Sequence, residues 1–349
     1  MFYYLSIQNE KPFIRISSLN LLQQIVLHFQ KNHHNFSSQK SIDMELTRRK
    51  FLVNSSMALA GTMLLPDFIF AHKKASDHIL GIQLYSVRDD MKKDPLGTLK
   101  QLSAMGYKNV EHANYIDRKF YGYSAKDFKK VLDDLGLNMP SGHTVMSGAD
   151  WDSSKNDFTD KWKQTVEDAA TVGEMYVISP WLDESLRQNY DELVKFLDVF
   201  NKSGELCKKS GLKFGYHNHD FEFKYSLNGK QIYDIILEKT DPDLVLQQID
   251  IGNMYGAGGR ALEIVKKHPG RFQSMHVKDE IKATKTGEMG DGYESTVLGK
   301  GILPVKEIVD VFQQKGGTTE FIIEQESYQG KSPLDCSKDD LQVMRKWGF

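Results

Sequence analysis

Two histidines stand one residue apart in the segment KFGYHNH, residues 213–219, which reads as a short strand. Successive side chains of a strand point to opposite faces, so His217 and His219 share one face. Imidazoles bind metal ions and transfer protons near neutral pH. The pair therefore indicates a chemical site at the end of this strand.

Polar and aromatic residues also end the other predicted strands. Asp250, His276 and Glu324 follow apolar residues at the same height in consecutive strands. Unpaired buried charges carry a large desolvation cost, so converging carboxylates and imidazoles suggest a shared divalent metal ion. Taken singly, each residue could instead be a hydrogen-bonded rim residue or a helix cap. The other strand-end candidates are Gln83, Tyr85, Glu111, His112, His143, Trp181, Asn253, Lys278, Asp279 and Glu326.

Strand-like and amphipathic helical segments alternate eight times from residue 79 onward. The predicted strands are 79–87, 108–113, 139–145, 175–181, 213–219, 245–253, 272–279 and 320–327. Eight successive βα units predict an α/β fold, a single (β/α)8 TIM barrel over residues 76–349, with catalytic groups at the C-terminal strand ends. An open doubly wound sheet is the alternative, but no GxGxxG motif follows the first strand.

Residues 1–75 are interpreted as an N-terminal extension with an export signal. Arg48 and Arg49 precede an apolar run of about a dozen residues, which is short for a bilayer span. The arrangement is similar to a twin-arginine signal, so we expect the twin-arginine export machinery as a partner and a periplasmic location. The signal is either cleaved or retained as a membrane anchor. A charged region begins at Met44, which is the alternative start of the chain.

The composition is that of an ordinary globular protein, with 40% hydrophobic and 26% charged residues. The formal net charge of −2 and the lack of a basic stripe outside the N-terminal region indicate no nucleic-acid partner. Nothing in the sequence identifies an oligomeric interface, so the oligomeric state stays open.

The segments QIDIGN, MHVKD and IIEQE resemble the metal-binding strand ends of the xylose isomerase-like TIM barrel superfamily, which includes sugar phosphate isomerases and epimerases. The resemblance covers the chain from about residue 79 to its end. It implies one divalent ion, such as manganese, zinc, cobalt or magnesium, held by Asp250, His276 and Glu324. His217 stands where many relatives carry a glutamate, so it is the expected fourth ligand. Alternatively, His217 only forms hydrogen bonds at the rim.

The same resemblance suggests how the remaining residues act on a small carbohydrate. Glu324 is the first candidate for a catalytic base, followed by Glu326, His143 and His219. His219 could also bind substrate or support the metal. The expected substrate contacts are Tyr85, Glu111, Trp181, Asn253 and Lys278. For Tyr85, Glu111, Trp181 and Lys278, a structural role is the alternative. The glycine-rich stretch at 280–300 is long for a βα connection and is expected to form a substrate loop or lid.

These expectations favour a metal-dependent isomerase or epimerase that removes a proton next to a polarised carbonyl of a sugar or keto-sugar. A histidine at the strand-5 position argues against a symmetric exchange between two metal-bound glutamates. A keto-sugar dehydratase, or a 3-keto-glycoside lyase or hydrolase, is therefore the alternative. A phosphodiester hydrolase and a non-catalytic sugar-binding barrel are less favoured.

Overall fold

Eight parallel strands close into a barrel in the computed structural model, which describes residues 78–283, 286–287 and 292–349. Each strand pairs with its neighbours in sequence, and the first pairs with the last, which confirms the predicted (β/α)8 fold. The strands are β1 (Ile79–Gln83), β2 (Asn109–His112), β3 (Asn138–His143), β4 (Tyr176–Ser179), β5 (Lys213–His217), β6 (Val245–Asp250), β7 (Ser274–Val277) and β8 (Glu320–Ile323). The predicted signal, with Arg48, Arg49 and Met44, lies outside the described residues.

One helix follows each barrel strand. These helices are α1 (Pro95–Met105), α2 (Ala125–Asp134), α3 (Asp160–Val172), α4 (Tyr190–Lys209), α5 (Ile232–Lys239), α6 (Ala261–Lys267), α7 (Val305–Val311) and α8 (Pro333–Trp347). Shorter helical turns span Leu84–Val87, Arg88–Lys93, Gly148–Asp150, Glu184–Arg187, Phe221–Lys224, Asn253–Gly256 and Phe312–Gly316. No described helix is both long and apolar enough to cross a bilayer.

The helix ends follow from the sequence. The hydroxyls of Ser124 and Thr159 cap the first turns of α2 and α3 by accepting backbone hydrogen bonds. Gly106 and Gly173 end α1 and α3 with φ angles of 105° and 99°, in the left-handed region that glycine adopts without strain. The chain therefore turns from each helix into the next strand within a few residues.

Several strands end earlier than predicted, because side chains capture the backbone at the mouth of the barrel. Asp250 Oδ1 accepts hydrogen bonds from the backbone N–H groups of Gly252 and Asn253, both at 2.8 Å, so β6 stops at Asp250. Gln83 Oε1 similarly accepts from the backbone of residue 85 and ends β1. His219 and Asn253 therefore lie beyond their strands, contrary to the predicted boundaries.

Additional short strands surround the mouth of the barrel. Residues Tyr115–Ile116, Lys119–Phe120 and Tyr123–Ser124 form an antiparallel sheet, and Trp151–Asp152 pairs with Asp157–Phe158. Ser226–Leu227 pairs with Lys230–Gln231. Within the stretch 280–300, Asp279–Lys282 pairs with Tyr293–Thr296, so the base of this predicted loop is a β-ribbon.

Candidate active site

Glu111, at the end of β2, is the centre of a buried hydrogen-bond network. Its carboxylate accepts hydrogen bonds from Gln83 Nε2 at 2.7 Å, Ser141 Oγ at 2.6 Å and Gln248 Nε2 at 2.7 Å. Burial alone would raise the pKa of Glu111, but the neighbouring imidazoles and these donors lower it to about 2. Glu111 is therefore an ionised carboxylate beneath the site, surrounded by protein donors.

His276, on β7, joins this network to the carboxylates at the mouth. Its Nε2 lies 2.6 Å from Glu111 Oε1, and because a carboxylate only accepts, this nitrogen carries the proton. Its Nδ1 faces Glu324 Oε2 at 3.0 Å and Asp250 Oδ2 at 3.7 Å. Burial disfavours the charged ring, but Glu324 and Glu111 raise the pKa of His276 well above its usual range. Nδ1 therefore points at two oxygens that attract a proton or a metal ion.

Lys278 lies fully buried among three carboxylates. Its Nζ is 3.2 Å from Asp250 Oδ2, 2.9 Å from Glu324 Oε2 and 2.7 Å from Glu326 Oε2, and it donates to Asn253 Oδ1 at 3.1 Å. Burial opposes the charge, yet the carboxylates raise the pKa of Lys278 well above its usual range. The ammonium group therefore holds these acidic side chains together.

The charges in this cluster fit an additional cation. Three carboxylates surround Lys278, and Glu111 adds a fourth beneath His276. One ammonium and a protonated His276 would still leave two negative charges uncompensated. Because uncompensated buried charges are costly, a divalent ion at this position suits the donor set.

One ligand atom stands ready for such an ion. Asp250 Oδ2 is buried and accepts no hydrogen bond from the described residues; Lys278 Nζ lies 3.2 Å from it and His276 Nδ1 3.7 Å from it. One ligand atom each of Asp250, His276 and Glu324 lie within 4.8 Å of one another. His276 also matches the usual pattern of metal-bound histidines, in which the second ring nitrogen donates to a carboxylate. These three residues therefore fit a metal centre.

Gln248 orients two further imidazoles on the other side of the site. Its amide nitrogen must face the carboxylate of Glu111, so its Oε1 faces His143 Nε2 at 2.7 Å and His217 Nδ1 at 2.9 Å. Both of these nitrogens therefore carry protons. His217 Nε2 is left with a lone pair, 4.0 Å from Asp250 Oδ2, and burial lowers the pKa of His217 well below its usual range. This geometry makes His217 available as a fourth ligand.

A second ligand group consists of His143, His217 and His276. Two of its nitrogens, His143 Nε2 and His217 Nδ1, already donate to Gln248. The carboxylate-containing group has the unpartnered Asp250 Oδ2 instead. The site around Asp250 is therefore the better candidate metal centre.

His219 lies just beyond β5, against an aromatic wall. Its ring stacks on Phe221 with centroids 6.0 Å apart and meets Trp181 edge-on at 5.4 Å. Its backbone N–H donates to Glu222 Oε2 at 2.9 Å, which fixes the turn. Neither ring nitrogen has a hydrogen-bond partner in the described part of the chain, and Nδ1 is buried. Burial lowers the pKa of His219 to about 4, so the ring is neutral near pH 7.

A cavity of about 520 Å³, termed the main cavity, opens over these groups. It contains most of the predicted site residues. Its lining residues are Tyr85, Arg88, Ala113, His143, Val145, Pro180, Trp181, His217, His219, Asn253, Glu324 and Glu326.

Four predicted site residues lie beneath the main cavity rather than in its lining. Glu111, Asp250, His276 and Lys278 are all fully buried. Glu111 and Lys278, expected either to contact substrate or to have a structural role, contact other side chains. Sequence reasoning did not assign a role to Gln248, although it lies two residues before Asp250 and so on the same face of β6.

Comparison with known proteins agrees with this architecture. The sequence profile of the xylose isomerase-like TIM barrel family matches residues 99–347. An inosose dehydratase from Clostridium perfringens is 31% identical over 111 residues, which is 32% of this chain. The chain spans only 36% of the length of that relative.

Solved structures share the barrel. A sugar phosphate isomerase/epimerase from Parabacteroides distasonis has a TM-score of 0.65 and 26% identity, over 77% of this chain and 98% of that one. The IOLI protein, whose structure has a bound zinc atom, has a TM-score of 0.59 and 14% identity over 77% and 97% of the two chains.

Proposed function

Because the chain belongs to the xylose isomerase-like TIM barrel family, we propose that it is a metal-dependent enzyme that eliminates water from a keto-sugar or a cyclic keto-polyol. One observation carries the proposal. The carboxylates of Glu324 and Glu326 are tied to Lys278, whereas the ring nitrogens of His219 have no partner in the described structure. Among the histidines that line the main cavity, His219 is therefore the one that no described side chain holds by a hydrogen bond.

Asp250, His276 and Glu324 would hold the metal ion, with His217 as the fourth ligand. When bound, such an ion polarises the carbonyl group and so acidifies the adjacent C–H bond. The unpartnered Asp250 Oδ2 and the excess of carboxylates support this assignment. The zinc atom in the structure of the IOLI protein supports it as well.

His219 is the proposed base. As a neutral imidazole it takes the proton from the carbon next to the carbonyl, and the C–H electron pair forms the new double bond. The C–O bond on the next carbon then breaks, and His219 returns the proton to the departing oxygen as water leaves. Trp181 and Phe221 fix the ring and limit its contact with water.

The sequence alone places isomerisation or epimerisation before elimination. Epimerisation needs a free proton donor or acceptor on each side of the reacting carbon. The carboxylates of Glu324 and Glu326, which follow β8, are both held by Lys278, which disfavours a symmetric exchange. The name of the inosose dehydratase relative also supports elimination. For these reasons we place elimination first.

Epimerisation is the second candidate, and one observation favours it. Glu324 and Glu326 both line the main cavity despite their contact with Lys278. Movement of either carboxylate away from the ammonium group would give the cavity a second base. The solved isomerase/epimerase from Parabacteroides distasonis supports this alternative.

Product analysis in D₂O tests the proposal. The metal-loaded protein is incubated with an inosose and with ketohexoses, and the products are followed by mass spectrometry. Elimination gives a product that is lighter by one water, whereas epimerisation gives a product of substrate composition that has exchanged hydrogen for deuterium. A protein that binds these sugars but neither exchanges nor converts them would contradict an enzymatic role.

Two histidine variants provide the matched comparison. His219→Asn is expected to lower kcat by about 100-fold or more, because the base is lost. His268→Asn changes a partly exposed histidine beside Asp234, outside the main cavity, and is expected to leave kcat unchanged. Equal activity of the two variants would remove His219 from the mechanism.

A further inference from the structure

A second cavity of about 390 Å³, termed the side cavity, adjoins the main cavity. Tyr85, Arg88 and Ala113 line both cavities, so the two lie side by side at the mouth of the barrel. The residues lining the side cavity are Leu84, Tyr85, Arg88, Met91, Lys92, Pro95, Ala113, Asn114 and Tyr121. A molecule bound over the metal centre can therefore extend sideways without leaving the protein surface.

The side cavity differs in chemistry from the main cavity. Its floor contains the buried side chains of Leu84 and Met91, and its walls include the rings of Tyr85 and Tyr121. Its described lining contains no carboxyl group and no histidine, and its charged members are the cations Arg88 and Lys92. A sugar ring presents many hydroxyl groups that need hydrogen-bond partners, so these walls suit an apolar or aromatic unit better.

Tyr121 is held in an unusual backbone conformation. Its φ is 49°, in the left-handed region, and with Gly122 at 90° it forms the turn between two short strands. Asn, Asp or Gly normally occupy such turn positions, because a bulky side chain is strained in this conformation. The Tyr121 hydroxyl accepts a hydrogen bond from the backbone N–H of Ala113 at 3.0 Å, which fixes the ring as a wall of the side cavity.

Tyr85 is held in place from the opposite side. The guanidinium carbon of Arg88 lies 4.7 Å from the centre of the Tyr85 ring, and Arg88 Nη1 donates to the Tyr85 carbonyl at 3.1 Å. Arg88 is in turn anchored by its hydrogen bond to Tyr328 Oη at 2.8 Å. Tyr85 is nevertheless 43% exposed, so its ring remains available to a ligand.

We propose that the side cavity binds an apolar or aromatic unit joined to the sugar, so that the preferred substrate is a conjugate such as a glycoside rather than a free sugar. Tyr121 and Tyr85 then determine specificity by packing against this unit. The sugar part of the substrate rests on the proposed function, whereas the apolar subsite rests on the side cavity itself.

Binding of unreactive glucosides to the full chain tests this inference separately from turnover. Methyl β-glucoside and 4-nitrophenyl β-glucoside share the sugar and lack a ketone, so their affinities do not depend on catalysis. Isothermal titration calorimetry of the wild type should show about tenfold tighter binding of the aryl glucoside, as expected from aromatic packing on two rings. Equal affinities, or no binding of either glucoside, would overturn the subsite.

Variants of Tyr121 separate the effect of its aromatic ring from the effect of its left-handed backbone conformation. Asparagine at position 121 accepts the left-handed conformation but removes the wall. The Tyr121→Asn variant should therefore bind the aryl glucoside and the methyl glucoside with about equal affinity. Tyr121→Phe keeps the wall and should keep the preference. Ile116→Ala changes an exposed residue outside the side cavity and serves as the control. A folded Tyr121→Asn protein that retains the tenfold preference would also overturn the inference.

Discussion

A single buried carboxylate orients the imidazoles of the site. Glu111 faces His276 Nε2 directly and sets the orientation of Gln248, which in turn fixes the proton of His217. Each of these contacts leaves the other ring nitrogen facing the region around Asp250. The position of Glu111 therefore matters as much for the site as the positions of the candidate ligands that it orients.

Removal of this carboxylate should weaken metal binding without removing a ligand. Glu111→Gln keeps the size of the side chain but places an amide nitrogen among donors, so the histidines lose their fixed orientation. We expect a 10- to 100-fold loss of metal affinity, measured by competition with a chelating dye. Glu174→Gln is the matched control, because Glu174 is also buried beside a histidine, but that histidine is His112, which is not a candidate ligand. Similar losses in both variants would indicate general destabilisation.

The candidate ligands predict how much metal the wild type and each ligand variant should contain. Protein purified without its first 75 residues should contain about one ion, as read from the single group of carboxylate and imidazole ligands. Asp250→Ala should lose it, because Asp250 Oδ2 is a buried oxygen that accepts no hydrogen bond from the described residues and so can bind the ion. His217→Ala should lose most of it if its Nε2 is the fourth ligand. Elemental mass spectrometry that finds full metal in His217→Ala would assign this histidine to the substrate instead.

At the scale of the elements, the parallel register explains which residues could be predicted. Asp250 pairs with His276 across β6 and β7, so residues that end adjacent strands meet at the same height. The contact between Glu111 and His276 was not predicted, because β2 and β7 are distant in sequence and meet only through the closed barrel. The boundary at Asp250 was also missed, because its side chain ends the strand by capping the following turn. The repeating alternation of strands and helices can be predicted from a sequence, whereas contacts across the barrel interior cannot.

Close packing of one helix on the barrel gives a test at this scale. A Cβ atom at Gly204, in α4, would lie 2.4 Å from the carbonyl oxygen of Leu244, directly before β6. Gly204→Ala should therefore destabilise the protein by about 1–3 kcal/mol, although alanine is normally the better helix former. Gly148→Ala meets open space and should be neutral or slightly stabilising. Urea unfolding of the two variants compares them; a stabilised Gly204→Ala would contradict the close approach.

For the molecule as a whole, buried acids make stability depend on pH. Asp340, in α8, is 1% exposed and accepts a hydrogen bond from the backbone of Leu298 at 2.8 Å. Burial raises the pKa of Asp340 to about 7, so the folded state binds its proton more tightly than the unfolded chain. The stability that protonation contributes is complete below about pH 4 and is lost as the pH rises through about 7.

Asp340→Asn should reduce this pH dependence. The amide keeps an acceptor for the Leu298 N–H group but never ionises. Between pH 5 and pH 8, the free energy of unfolding of the variant should therefore rise by on the order of 1–4 kcal/mol relative to that of wild type. Unfolding in urea at these two pH values gives the difference. Asp133→Asn, at an exposed position paired with Lys129, should show no such gain and is the control. If the free energies of unfolding of Asp340→Asn and wild type change equally with pH, ionisation of Asp340 does not cause the pH dependence.

The N-terminal sequence adds a prediction about where the assembled barrel goes. A twin-arginine signal is read by a translocase that carries folded proteins, which would allow a metal ion to be inserted before export. The full chain, or a chain that starts at Met44, should therefore reach the periplasmic fraction of cells that have this translocase. Replacing Arg48 and Arg49 together by lysine should retain the protein in the cytoplasm, because the arginine pair itself is recognised, whereas Lys50→Ala leaves the pair intact and should be exported. Cell fractionation and immunoblotting measure the distribution, and unchanged export of the double-lysine variant would show that another signal directs the protein.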